Sequence, residues 1–85
     1  MPEKFNPRLR AAFLEAVDKQ LRDNDPPETR VTLERLKHEG LSEQKAKELI
    51  AAVIAAETFY ILKEKQTFNH DRFVKNLNKL PDLPT

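Results

Sequence analysis

Hydrophobic positions along the chain recur at helical spacing, and polar punctuation cuts them into four segments. The densest is residues 49–62, where twelve of fourteen side chains are hydrophobic. That run is rich in Ala and free of turn formers, so it reads as a helix that is apolar and buried nearly all round. It is too short to span a bilayer, which needs roughly 20 apolar residues. The pattern predicts an all-α bundle of three main helices and a short C-terminal fourth. These cover residues 7–23, a segment from Asp25-Pro26-Pro27-Glu28 to Gly40, a long central helix over 43–66, and 70–80. An extended tail over 81–85 follows, and nothing alternates with the period of a strand.

The boundaries rest on capping chemistry. Asn6 precedes a proline at the first helical position. Asp25 can cap the second helix, with Glu28 three residues on as in a capping box. Gly40 suits the left-handed residue that ends a helix, and Lys37 and His38 suit the negative end of its dipole. Ser42 caps the third helix, and Leu41 can staple onto Ala46. Asn69 caps the fourth, and Pro81 stops it.

At about 100° per residue, Leu9, Phe13, Ala16, Val17 and Gln20 share a face of the first helix, with Leu14 and Leu21 at its edge. Glu15 with Lys19 and Asp18 with Arg22 are i,i+4 pairs on its wet side. Thr29, Leu33 and Leu36 line the second helix. Phe73, Leu77 and Leu80 line the fourth, with Arg72, Lys75 and Lys79 on its wet side. On the central helix, Ile50, Val53, Ile54 and Ile61 point one way to within about 40° of their mean, and Glu57 lies inside that arc. A charge there must be paired, protonated or facing a cavity. An ion pair with Arg10, Arg35 or His38 is expected, Arg35 first, or a place at the rim; a ligand-binding or catalytic carboxylate is the functional alternative. The opposite face carries Ala52, Ala55, Phe59 and Leu62. Either the fourth helix covers it or a second copy of the chain does, which makes it the candidate dimer face.

Length and charge narrow the chemistry. A chain of 85 residues is expected to form one domain over 1–85 that buries about two thirds of its unfolded surface. Fifteen basic residues against fourteen acidic ones argue against nucleic acid as partner. The absence of Cys excludes disulfides and thiolate metal sites and fits a reducing compartment. No apolar signal segment opens the chain, no membrane partner is indicated, and a cytoplasmic location is expected. The histidines, His38 and His70, have no two-ligand spacing. Residues 30–50 have roughly helix-turn-helix spacing with Gly40 at the turn. Glu43, Lys45, Lys47 and Glu48 cancel on the would-be reading helix, however. Residues 63–80 set Lys63, Lys65, Arg72, Lys75 and Lys79 against Glu64 and Asp71, near Tyr60 and Phe68, which is a composition that single-stranded nucleic acid can use.

The stretches Asp25-Pro26-Pro27-Glu28, Thr32-Leu33-Glu34-Arg35-Leu36 and Glu39-Gly40-Leu41 resemble a group of short uncharacterised bacterial helical proteins. The similarity extends over about residues 6–80 and implies the same helical fold. Some of those proteins carry His at the positions of Arg10, Leu14, Gln44 and Glu48, a spacing that would suit a metal. This chain has none of those histidines, so no ligand set comes with the resemblance.

No catalytic, cofactor-binding or metal-binding set emerges. The expected function is that of a small non-enzymatic protein acting by protein–protein contact, first by self-association as a homodimer and otherwise with a different protein. The alternative is a nucleic-acid-binding module, either helix-turn-helix-like over 30–50 or through the basic C-terminal helix. A small-molecule or enzymatic site around Glu57 ranks third.

Overall fold

The computed structural model describes residues 7–83. Four helices follow one another: α1 (Pro7–Asp23), α2 (Pro27–His38), α3 (Glu43–Glu64) and α4 (His70–Lys79). The all-α expectation holds, with α3 the longest at 22 residues, about 33 Å at 1.5 Å per residue. No strand occurs among the described residues. The Asn6 cap falls outside them.

Three helix ends share one solution. At the end of α1, Asn24 N donates to Leu21 O and Asp25 N to Gln20 O. At the end of α2, Gly40 N donates to Lys37 O and Leu41 N to Leu36 O. At the end of α3, Lys65 N and Gln66 N both donate to Ile61 O. Each is the left-handed closure that satisfies otherwise orphaned carbonyls. Asn24, Gly40 and Lys65 supply the positive φ values, 51°, 102° and 53°. Only Gly40 was legible as such a position. Lys65 takes a conformation that costs a side-chain-bearing residue about 1–2 kcal/mol, and it ends α3 before Gln66.

These closures correct two expectations. Asp25 does not cap α2, because its backbone is consumed in closing α1, and Pro26 takes the N-cap place with no side-chain bond. Glu28 therefore forms no capping box. Its Oε2 lies 3.4 Å from His70 Nε2, and its Oε1 is buried without a hydrogen-bond partner. The other caps form as the residues suggest. Ser42 Oγ accepts from Lys45 N at 3.1 Å, and Asn69 Oδ1 accepts from Arg72 N at 2.9 Å.

Opposite outcomes are expected from two substitutions at these ends. Gly40→Ala should lose about 1–2 kcal/mol although its new Cβ would meet nothing within 4 Å, because the cost lies in φ and not in space. Lys65→Gly should gain about 0.5 kcal/mol by relieving the same strain, net of the freer unfolded chain. Urea melts of both variants check the pair, and a destabilised Lys65→Gly would remove the explanation.

The core gathers Val17, Leu33, Leu36, Ile50, Val53, Phe73 and Leu77. On α1 the buried centre is Val17 and Leu21, with Phe13 and Leu14 packed beside it, and Leu9 stays 44% exposed. Gln20 belongs to the interior through Thr29, whose Oγ1 donates to Gln20 Oε1 at 2.7 Å. The wet-side pairs of α1 differ from those expected. Lys19 binds Asp23 at 2.7 Å, and Asp18 reaches across to Lys47 of α3 at 3.0 Å.

The helix α2 fastens its neighbours. Arg30 Nη2 donates to Leu21 O at the end of α1. Arg35 donates from Nη2 to Leu77 O and from Nη1 to Leu80 O, each at 3.0 Å, at the end of α4. A guanidinium there satisfies terminal carbonyls and opposes the negative end of the helix dipole. The tail is not extended where it begins, since Asp82 N donates to Lys79 O in a turn. Its last two residues lie outside the described ones. Among the described residues α1 and α4 do not pack on each other, whereas both pack on α2 and α3. The outward face of α3 is therefore left open between them.

Candidate functional site

Two hollows occupy that open face, and Ala56 and Leu83 border both. The first lies between α3 and α4 and is built around Glu57. Its position in the inward arc of α3 buries it to 4% exposure, as the periodicity predicts. The carboxylate is paired, but with none of the expected partners. Arg72, placed from sequence on the wet side of α4, donates from Nε to Glu57 Oε1 at 2.8 Å and from Nη2 to Oε2 at 2.6 Å. Asn69 N adds a bond to Oε2 at 3.3 Å. Arg35 is held instead by the carbonyls of α4 and by Glu39 at 2.9 Å. Arg10 is held by Glu48.

Two parallel charge-assisted bonds make this a bidentate pair, with bonds stronger than those between neutral groups. The Arg72 guanidinium holds the Glu57 carboxyl below its usual range, with help from Asn69 N–H and against burial, which pushes the other way. The same bonds raise Arg72. Arg72 also lies over the Tyr60 ring, with Cζ 4.1 Å from the centroid, within cation–π range. The pair, the ring, Asn76, Lys79 and the two border residues enclose about 290 Å³.

The second hollow is a trough of about 670 Å³ between α1 and α3. Its floor includes Ala52, Ala55 and Phe59, three members of the candidate dimer face, and α1 supplies Leu9, Phe13 and Leu14 to its wall. Phe13 meets Phe59 edge to face, with centroids 6.3 Å apart. Leu62 stands beyond the trough at 69% exposure, and Phe59 remains 54% exposed. The expectation that α4 might cover this face is corrected: α4 packs on the Glu57 side, and α1 borders the face without closing it.

Arg10, Leu14, Gln44 and Glu48 come together where α1 meets α3. Arg10, Leu14 and Glu48 line the trough, Arg10 Nη2 bonds Glu48 Oε2, and Gln44 Nε2 donates to the same oxygen at 3.1 Å. An ion pair and an aliphatic side chain fill these places here. Among the described residues no three His, Cys, Asp or Glu side chains gather as metal ligands.

The first turns of α3, the would-be DNA reader, are engaged internally. Lys47 pairs with Asp18 and Glu43, and Glu48 pairs with Arg10. In the basic C-terminal third, Arg72 is committed to Glu57, and Phe68 leans on Phe73 and His70, with centroids 5.7 and 6.4 Å away. No helix among the described residues is long and apolar enough to cross a membrane. Compared with family models, curated proteins and solved structures, the chain finds no match, so a functional reading rests on this geometry.

Proposed function

We propose that the protein acts by protein–protein contact, and that its first partner is a second copy of itself, seated on the α1–α3 trough. The observation that carries this reading is the apolar face of α3 that floors the trough and runs past it to Leu62, together with its order of sizes. Ala52 and Ala55 occupy one half, Phe59 and Leu62 the other, and their spacings of three, four and three read the same from either end. A two-fold interface needs a patch complementary to itself. Two antiparallel α3 helices would set Phe59 over the partner's Ala55 and Leu62 over the partner's Ala52. Alanine at those places lets helix axes approach toward the close end of the usual 8–10 Å.

The nucleic-acid alternative has less support, since Glu43, Lys47 and Glu48 at the start of α3 pair internally and Arg72 turns two of its donors to Glu57. Among the described residues no nucleophile and base are set out together beside a substrate space, so the enzymatic reading has no specific observation in its favour.

Light scattering at high micromolar concentration tests the proposal. The native chain should run as a dimer, and Ala55→Arg and Leu62→Glu should each give monomers with unchanged far-UV circular dichroism. Leu62 is exposed enough that its substitution leaves the fold intact, which guards against misfolding of the Ala55 variant. A native chain that is monomeric under these conditions removes the reading.

A further inference from the structure

We infer that the hollow between α3 and α4 is a binding site for a small organic monocarboxylate with an apolar body. Arg72 is presented there as a receptor group. Glu57 takes its Nε and Nη2, and Tyr60 supports the plane of the guanidinium from below. Nη1 donates to nothing among the described residues. An arginine immobilised before a ligand arrives loses little further freedom on binding. Lys79 lines the same hollow and has no carboxylate within ion-pair distance among the described residues. Asn76 adds an amide that can donate. Two cations against the single carboxylate of Glu57 leave the site one positive charge, which a monoanion neutralises and a dianion overshoots.

The remaining lining is apolar. Ala56, Leu83 and the edge of Tyr60 form a wall that gains nothing from inorganic phosphate and buries a hydrocarbon body. The volume, about 290 Å³, falls just under the usual range of ligand pockets, about 300 to 1,000 Å³, which suits a ligand of few atoms. The site adjoins the α1–α3 trough and shares Ala56 and Leu83 with it, but its polar groups, Arg72, Asn76 and Lys79, lie outside that trough.

Benzoate is the probe. Titrated into the isotope-labelled full chain at constant ionic strength, it should give saturable shifts at Tyr60, Asn76 and the Arg72 Nε–H. Inorganic phosphate and acetate should bind more weakly, for want of a body or of a matching charge. Lys79→Gln, an exposed change that leaves the fold intact, should raise the benzoate Kd about tenfold, the usual worth of one charge-assisted hydrogen bond. Lys75→Gln, on α4 but outside the hollow, should leave it unchanged. Shifts that do not saturate, phosphate binding as well as benzoate, or equal effects of the two lysine substitutions would each overturn the assignment.

Discussion

Arg72→Leu is expected to lower the melting temperature by roughly 15 °C at neutral pH, because it strands a charge in the interior. Glu57 is 4% exposed and would keep only the bond from Asn69 N. Glu57→Leu should cost far less, since Arg72 retains a quarter of its side-chain surface in water and can swing outward over Tyr60. The double substitution should recover most of the loss, which gives a coupling that a double-mutant cycle reads directly.

The sign of the pH dependence separates this account from a simple packing defect. In the native chain the folded Glu57 carboxyl lies below its unfolded value. Its contribution is therefore complete above the unfolded carboxyl range, near pH 4.3, and is lost as pH falls through the folded value. In Arg72→Leu the main cause of the lowering is gone, and burial, which outweighs the remaining Asn69 bond, raises the group instead. The variant's penalty is then present above the folded value and is relieved as pH falls toward the unfolded one. The gap between native and variant stability should shrink from pH 7 to about pH 4. Urea melts at the two pH values decide it, and an equal gap at both would mean that the buried charge is not the cause.

Phe73→Ala should cost about 4 kcal/mol, within the range for deleting a buried aromatic ring. The ring is 1% exposed and is among the largest fully buried side chains. It matters more than its size suggests because α4 has ten residues, too few to be helical alone. Phe73, Leu77 and Leu80 are the apolar contacts that dock it. Phe73→Leu, which keeps most of the volume, should cost about 1.5 kcal/mol or less. Chemical denaturation followed by circular dichroism measures both variants. A loss near zero for Phe73→Ala, with helix content intact, would show that α4 is held by its polar bonds and not by this socket.

What the sequence disclosed was local, and what it withheld was the docking of one segment on another. Gly40, Ser42, Asn69 and the prolines mark helix ends because their chemistry acts within a few residues. Asn24 and Lys65 do the work of glycine without being glycine, so the first and third turns begin where composition does not announce them. Asp25 has the right chemistry for a cap but is already engaged one bond earlier in closing α1. The burial of Glu57 followed from the period of α3. Its partner did not, because Arg72 belongs to another helix and nothing in either period says how α4 lies against α3. Arg35 was the nearer guess on α2, yet the structure aims it at carbonyls of α4, an acceptor that every residue carries and no sequence pattern distinguishes. The Ala52, Ala55, Phe59 and Leu62 face was legible as unusually apolar, and its incomplete cover by α1 was not.

The two arginines at either end of α4 bear on how the molecule breathes. Arg72 ties its first turn to α3, and Arg35 ties its last to α2. A short helix fastened at both ends to different neighbours does not fray from a loose tip. It is expected to open as one cooperative unit, with a free energy above that of terminal unwinding and below that of global unfolding. The bonds to Arg35 close chain loops of more than forty residues, so this unit docks late and leaves early. Each such excursion would unseat Phe73, wet the Glu57 carboxylate and dissolve the Arg72 hollow in a single step. The ten-residue α4 is thus the hatch of the fold, and whatever binds in that hollow would hold it shut.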